Sequence, residues 1–176
     1  MIFGIKIKGI IVLGLGWIIF LAVLGYMMVS APMSLLDMTK SQISFSAVEL
    51  RSDFDRLEDL ARYANYHYAD FIFIVVYSTV LFFTTKSLPR LFENSRRFWN
   101  ALALLFPAAG TFDFIENILM LRMLSESQTF PDWMAIVYSS FALTKLVLFF
   151  GGLIAGLLVF VFLRASKIMP QIKKKI

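Results

Sequence analysis

The sequence predicts an all-α, polytopic membrane protein: a bundle of four transmembrane helices with one short amphipathic helix on the outer side. Of its 176 residues, 59% are hydrophobic and only 16% are charged, whereas soluble proteins carry about 25% charged residues. A chain this apolar cannot cover a soluble domain with polar side chains. Because four stretches come close to the roughly 20 apolar residues that cross a bilayer as a helix, we expect one integral membrane domain over residues 1–176.

The first predicted span covers about residues 9–29 and contains no charged residue. It ends at Val29-Ser30-Ala31, which looks like a signal-peptidase site. The apolar run is longer than the roughly 7–15 residues of a signal-peptide core, and Pro32 follows the predicted cut. We therefore interpret this segment as an uncleaved span.

Three further spans are predicted at about residues 69–85, 98–124 and 133–163. The second is the shortest. The third contains Asp113, Glu116, Asn117 and Arg122, and the only charged residue well inside the fourth is Lys145. Trp99 and Trp133 fall at the predicted interfaces, where indole rings are enriched.

An outer loop over about residues 30–68 separates the first two spans. Within it, apolar residues recur at helical spacing from Phe54 to Ala64, and Ser52 followed by Asp55 resembles a capping box. These features predict one short amphipathic helix that lies on the bundle or in the lipid headgroups.

The basic residues predict the orientation of the chain, because Lys and Arg are concentrated in cytoplasmic flanks. Eleven of the 17 basic residues lie on one predicted side, so both termini are expected in the cytoplasm of a bacterial inner membrane. The same topology explains the net charge of +5 without a nucleic-acid partner. In a eukaryote, the tail Lys173-Lys174-Lys175-Ile176 would instead resemble an endoplasmic-reticulum retrieval signal. The eleven residues are Lys6, Lys8, Lys86, Arg90, Arg96, Arg97, Arg164, Lys167, Lys173, Lys174 and Lys175.

Composition also limits the chemistry. The chain has no cysteine, which excludes disulfides, thiolate nucleophiles, zinc–thiolate sites and iron–sulfur clusters. A single histidine excludes bis-histidine haem and the paired Glu-x-x-His ligands of di-iron bundles. We therefore expect no metal and no cofactor, with the lipid bilayer as the main partner.

Polar residues deep inside the spans are the most informative feature of the sequence. At 100° per residue, Asp113, Glu116 and Asn117 share one face of the third helix. Counting 1.5 Å per residue from the outer boundary places Asp113 at roughly 15 Å and Lys145 at roughly 18 Å. A lone charge at such a depth costs at least about 2.5–3.5 kcal/mol. We therefore predict an ion pair between Asp113 and Lys145.

The predicted polar seam lines the outer half of the bundle. One lysine cannot neutralise two acids, so Glu116 is expected either to be protonated or to be compensated by Arg122 or a ligand. We also expect Glu116 to pair with Asn117. The seam comprises Asp113, Glu116, Asn117, Lys145, Tyr77 and Tyr138, with Asp70, His67 and Arg122 at its outer rim.

Gly152 and Gly156 form a Gly-x-x-x-Gly pattern in the fourth span, which permits close helix approach. The pattern predicts packing within the chain, with a homo-oligomer as the alternative.

The chain resembles a family of uncharacterised bacterial four-helix inner-membrane proteins. The resemblance rests on Asp113-x-x-Glu116-Asn117 in the third helix, the buried Lys145 in the fourth and Asp70-Phe71 at the start of the second. It covers about residues 43–150, although Leu146 stands where we expect Phe after the lysine. The family has no established activity, so the resemblance implies architecture and bacterial origin.

A weaker similarity links the chain to the EXPERA family of sterol isomerases and sigma-2-type receptors, which are also small helical membrane proteins with buried acids. No EXPERA motif is matched residue by residue.

Three functions remain open from the sequence. The first is a non-enzymatic membrane protein whose seam stabilises the bundle and binds a lipid-like ligand or a partner. The second is an oligomeric transporter or proton-coupled channel component. The third is a membrane enzyme acting on an apolar substrate, similar to the EXPERA isomerases, with Glu116 or Asp113 as general acid/base and Lys145 stabilising charge.

Overall fold

The structure is a computed structural model that describes the backbone of residues 7–88 and 96–173, and the side chains of residues 9, 11–88 and 96–162. Regular structure in these ranges is helical. The six helices are α1 (Ile7–Ser30), α2 (Leu35–Gln42), α3 (Ala47–Asp55), α4 (Leu60–Ser87), α5 (Arg96–Ser125) and α6 (Asp132–Lys173).

Four of these helices are long and apolar enough to cross a membrane: α1, α4, α5 and α6. The all-α four-helix membrane architecture is therefore confirmed, and the protein is multi-pass by helix length and composition. Of the basic residues that predict orientation, Lys86, Arg96 and Arg97 have described side chains. The others lie outside the residues whose side chains are described: Lys6, Lys8, Arg90, Arg164, Lys167, Lys173, Lys174 and Lys175.

The prediction of a single outer helix near residues 52–64 is wrong. The outer loop forms two short helices, α2 and α3, and α4 begins at Leu60, earlier than predicted. Ser52 lies inside α3, whose N-cap is Ser46; its hydroxyl accepts a hydrogen bond from the backbone N–H of Glu49. Asp59 caps α4, which continues the helical pattern of Leu60 and Ala64 into the second span. The regular apolar spacing from Phe54 to Ala64 therefore includes both the end of α3 and the start of α4.

Helix α5 is the centre of the bundle. Both α4 and α6 pack along it, whereas α1 packs along α4. The α1–α4 contact includes a hydrogen bond of 3.1 Å from Trp17 Nε1 to Thr84 Oγ1, and the rings of Phe20 and Phe73 stack with centroids 5.8 Å apart. Most of α1 therefore faces the surroundings of the protein, as its many exposed apolar residues show.

Small residues allow the helices on either side of α5 to approach it closely. A Cβ at Gly110 of α5 would collide with the Ser78 hydroxyl of α4. On α6, a Cβ at Gly152 would lie 3.4 Å from Phe106, and one at Gly156 would lie 3.2 Å from Leu102. The Gly-x-x-x-Gly pattern thus packs within the chain, and the homo-oligomer alternative stays a prediction.

Helices α2 and α3 form a cap over the C-terminal end of α5 and the N-terminal end of α6, which is the end predicted to be the outer one. Leu50 and Phe54 of α3 are buried with Phe130 of the α5–α6 connection. Arg51 connects α3 to the start of α6. It donates to the backbone carbonyl of Phe130 at 2.6 Å and lies 3.3 Å from Asp132. Between α2 and α3, Phe45 has a left-handed backbone (φ 54°), and its N–H donates to Ser139 of α6 at 3.1 Å.

Candidate functional site

The deepest part of the site is a three-residue charge cluster between α5 and α6. Lys145 Nζ lies 2.6 Å from Asp113 Oδ1 and 2.6 Å from Glu116 Oε2. The predicted Asp113–Lys145 pair is therefore confirmed. The lysine can reach both acids because residues three apart on α5 lie on one helix face. All three side chains are buried or nearly so: Glu116 has no exposed surface, and about a tenth of Asp113 and Lys145 is exposed.

Helix α4 contributes the third side of this cluster. The Tyr77 hydroxyl donates a hydrogen bond of 3.0 Å to Asp113 Oδ2. Since Lys145 donates to the other oxygen of Asp113, both carboxylate oxygens of Asp113 are satisfied. Asp113 thus links three helices, and its charge-assisted bonds are of the strong kind.

A second polar cluster lies on the outer side of the first and joins α4 to α5. Asn117 is buried, and its side-chain NH₂ donates to Asp70 Oδ2 at 2.8 Å. Its carbonyl oxygen lies 2.8 Å from His67 Nδ1. Because an amide oxygen only accepts, Nδ1 is the donor in this bond. Asn117 therefore orients both His67 and Asp70.

Two expectations about the outer half are wrong. Glu116 pairs with Lys145, whereas Asn117 pairs with His67 and Asp70. Arg122 does not join the outer rim or compensate Glu116, because it is largely exposed and its guanidinium lies 2.5 Å from Glu126. His67 and Asp70 both bond to Asn117, and His67 is only 2% exposed. Helix periodicity gives the face of a residue on its own helix but not the neighbouring helix that this face meets.

Several buried polar atoms in this region have no hydrogen-bond partner among the described residues. They are both carboxylate oxygens of Glu116, His67 Nε2 and the Tyr138 hydroxyl. Glu116 Oε2 nevertheless lies 2.6 Å from the Lys145 ammonium, and the Tyr138 hydroxyl lies close to the Glu116 carboxyl group. The three side chains are at most 2% exposed. Buried polar groups are nearly always paired, so these atoms are the unusual feature of the site.

Tyr63 belongs to the site but is not among the residues predicted from the sequence. It is buried beside the unpartnered groups, with its ring centroid 4.8 Å from that of His67. Tyr63, His67, Ile74 and Tyr77 are all buried along α4 at spacings of three to seven residues. The helical spacing of these four residues is present in the sequence. Tyr63 was not included in the predicted site because the second span was predicted to begin near residue 69.

The site is rich in acids. Asp70, Asp113 and Glu116 contribute three carboxyl groups against the single ammonium of Lys145. Among the described residues, no group of three His, Asp or Glu side chains is arranged to hold a metal ion. What the arrangement offers is a set of hydrogen-bond acceptors and negative charge inside a membrane-spanning bundle.

No family model, curated protein or solved structure matches the chain.

Proposed function

We propose that this multi-pass membrane protein binds a lipid-like ligand at its polar seam and does so without catalysing a reaction. The observation that carries the proposal is a set of buried atoms without a hydrogen-bond partner among the described residues: His67 Nε2, the Tyr138 hydroxyl and Glu116 Oε1. Burying a polar group without a hydrogen bond costs roughly 1–3 kcal/mol on the scale of protein mutations. A ligand head that donates hydrogen bonds there would remove this cost.

The surroundings of the seam favour an amphiphile over a water-soluble ligand. Each of the helices that builds the seam is apolar and long enough to cross a bilayer. The outer end is covered by α2 and α3, and Tyr138, Phe130 and Leu50 of the cluster beneath this cap are fully buried. A molecule that reaches the seam from the lipid needs a polar head for the acids and an apolar body for the helices.

Binding is better supported than transport across the membrane. The hydrogen-bonded groups run from His67 to Tyr77, which is roughly 15 Å along α4. Further toward the other end of the bundle, the buried side chains around α5 include Leu81, Leu102 and Phe106. On α4 the next buried polar residue in the described chain is Thr85, about two turns beyond Tyr77, so the polar seam is interrupted there.

Binding is also better supported than catalysis. A general acid/base must exchange its proton with a reacting group, whereas Glu116 Oε2 lies 2.6 Å from the Lys145 ammonium. Asp113 is fully engaged by Lys145 and Tyr77. Asp113 and Lys145 therefore bond to each other and to neighbouring side chains instead of facing a reacting centre.

Mass spectrometry of compounds that copurify with the full chain in a mild non-ionic detergent would test the proposal. We expect one amphiphile to be enriched with the wild type and reduced at least 10-fold with Glu116→Gln. The control Glu126→Gln removes a carboxylate from an exposed ion pair and should retain the ligand. Identical lipid profiles for the wild type and Glu116→Gln would overturn the proposal.

We further propose that the protein resides in a bacterial inner membrane with both termini in the cytoplasm. The distribution of basic residues and the resemblance at Asp113, Glu116, Asn117 and Lys145 support this location. The chain has no cysteine, so single cysteines can be placed without background. Ser52→Cys in α3 should react with an impermeant maleimide on intact spheroplasts, whereas Asn100→Cys in α5 should react only after lysis. The opposite pattern would reverse the topology, and an endoplasmic-reticulum location would follow from retention that depends on Lys173 and Lys174.

A further inference from the structure

We propose that the outer side of the protein binds the head group of a zwitterionic phospholipid that carries a phosphate and a primary ammonium, as phosphatidylethanolamine does. The site is a cavity of about 950 Å³, called here the outer recess. Met33 of the α1–α2 connection, Lys40 of α2, Arg56 at the end of α3 and Arg62 of α4 line its walls. Since none of its lining residues belongs to the polar seam, this inference goes beyond the proposed function.

The outer recess lies at the level of the lipid head groups. Two helices that are long and apolar enough to cross the membrane end beside it, because α1 ends at Ser30 and α4 begins at Leu60. The lining of the recess starts at Pro32 and reaches Arg62 in the first turn of α4. The head-group region extends roughly 5–7 Å beyond the hydrocarbon on each side of a bilayer. The recess therefore lies in the layer that contains the phosphate and ammonium groups of lipids.

The size of the recess suits a small polar group. Its volume of about 950 Å³ falls within the roughly 300–1,000 Å³ of small-ligand sites. Charges of both signs line it, with three basic residues against four acids. A ligand with a single charge would meet like charges there, whereas a zwitterion can pair with both sets. The bases are Lys40, Arg56 and Arg62, and the acids are Asp37, Asp53, Glu58 and Asp59.

The charged side chains of the recess are only loosely paired with one another. Lys40 Nζ lies 4.0 Å from Asp37, and the Arg56 guanidinium lies 3.9 Å from Asp53. Both distances exceed hydrogen-bond range. Arg62 has no salt-bridge partner in the described part of the chain. These groups are therefore available to a ligand.

A smaller cavity of about 250 Å³ adjoins the recess and indicates where the phosphate binds. Lys40, Asp53 and Arg56 line both cavities. Ser41 also lines the smaller one; it is 2% exposed, and its hydroxyl has no hydrogen-bond partner among the described residues. Lysine, arginine and serine are the side chains that typically bind phosphate oxygens. The phosphate therefore belongs at Lys40 and Arg56, next to the unpaired donor of Ser41.

The ammonium belongs with the acids that line only the larger cavity, which are Asp37, Glu58 and Asp59. A primary ammonium has three donors for carboxylate oxygens. A quaternary ammonium is bound instead by aromatic rings, and the described residues that line the recess include no aromatic side chain. The lining therefore favours phosphoethanolamine over phosphocholine.

Exposed apolar residues beside the recess can contact acyl chains. Val29 at the end of α1 and Leu35 and Leu36 at the start of α2 are all largely exposed. They flank Pro32 and Met33 of the recess in the chain. A lipid would use both this apolar surface and the charged cavity, whereas free phosphoethanolamine would use the cavity alone.

Three dihexanoyl lipids that differ only in the head group test the inference: phosphoethanolamine, phosphocholine and phosphoglycerol. Each is added to the full chain in dodecyl maltoside micelles, and binding is followed by native mass spectrometry and by the shift in thermal unfolding. We expect the phosphoethanolamine lipid to bind at least 5-fold more tightly than the other two. Glycerophosphoethanolamine, which has the same head but no acyl chains, should bind at least 10-fold more weakly than this lipid.

Substitutions at exposed side chains of the recess identify the site without disturbing the core. Arg56→Gln and Lys40→Gln should each weaken binding of the phosphoethanolamine lipid at least 5-fold, because they remove the phosphate contacts. Glu58→Gln should remove its advantage over the phosphoglycerol lipid, which has no ammonium. The matched control Arg122→Gln removes a base from an exposed pair on α5 and should change neither result.

Equal binding of the three lipids, or a phosphoethanolamine preference that persists in Arg56→Gln, Lys40→Gln and Glu58→Gln, would overturn the inference. Glycerophosphoethanolamine that binds as tightly as the lipid would show that the free head group is the ligand and would overturn the lipid source. The seam is tested separately, because its ligand depends on Glu116. Failure of the recess and failure of the proposed function are therefore distinguishable.

Discussion

Lys145 on α6 donates a 2.6 Å hydrogen bond to Asp113 on α5, and both side chains are about nine-tenths buried. Removing one partner of a buried pair leaves the other charge uncompensated, at a cost of about 3–5 kcal/mol. We therefore expect Lys145→Met, which leaves both Asp113 and Glu116 without their cation, to lower the free energy of unfolding by an amount of this order. Asp113→Asn should lower it by less, because Lys145 keeps Glu116 as its partner. The double variant should recover part of the loss, as measured by unfolding in mixed detergent micelles.

A strictly additive loss in the double variant would contradict this energetic coupling. The matched control is the exposed pair of Arg122 and Glu126. Substituting either of its members should change the free energy of unfolding by less than about 1 kcal/mol, because exposed ion pairs contribute little.

Asn117 should contribute strongly to stability, because its side-chain amide bonds to both His67 and Asp70. Asn117→Leu keeps a similar volume but leaves both partners without their hydrogen bond, at about 1–3 kcal/mol for each buried group. We expect a lower unfolding temperature and a loss of about 2 kcal/mol or more. Asn100→Leu, at an exposed position of the same helix, should be close to neutral. A neutral Asn117→Leu would show that the outer polar cluster does not stabilise the bundle.

Gly110 sets the distance between α4 and α5. In Gly110→Ala the new Cβ would collide with the Ser78 hydroxyl, and such overpacking costs about 1–3 kcal/mol. Adding Ser78→Ala removes the colliding oxygen and should restore part of the stability. Gly151→Ala serves as the control, since its new Cβ would meet nothing within 4 Å. Equal unfolding free energies for the two alanine variants would refute a close helix approach at Gly110.

Arg51 should hold the outer cap in place. Its guanidinium donates to the Phe130 carbonyl at 2.6 Å and lies 4.9 Å from the centre of the Phe130 ring. Arg51→Lys keeps the charge but loses the planar fork, so we expect α3 to exchange its amide hydrogens about 10-fold faster. Arg56→Lys, at a mostly exposed side chain of the same region, should leave the exchange unchanged. Unaltered amide hydrogen exchange of α3 in Arg51→Lys would show that apolar packing alone holds the cap on the bundle.

The architecture was predictable because a bilayer imposes a length and a composition on each span. The Asp113–Lys145 pair was also predictable, since two opposite charges at the same depth have a strong reason to meet. Depth follows from counting residues along a helix. The prediction therefore worked where distance along the membrane normal decided the outcome.

The remaining parts of the site depend on how the helices are rotated about their axes, which residue counting does not give. Asn117 contacts His67 and Asp70 because α4 turns that face toward α5. The start of α4 was misplaced because the helix begins well before the apolar run, at the cap provided by Asp59. Apolar patterning identifies the part of a helix that is expected to lie inside the lipid, but it does not show where the helix begins or ends beyond that part.

Each long helix packs mainly on the long helix before it in the chain, since α1 meets α4, α4 meets α5 and α5 meets α6. During synthesis, every newly made span therefore finds its partner already in the membrane. The exception is electrostatic: Asp113 and Glu116 of α5 precede Lys145 of α6 in the chain, so they enter the bilayer before the lysine does. Until α6 inserts, Asp113 and Glu116 lie in the hydrocarbon without a cation beside them, which is unfavourable in free energy. The insertion of α6 thus supplies the cation that pairs with the buried acids of α5.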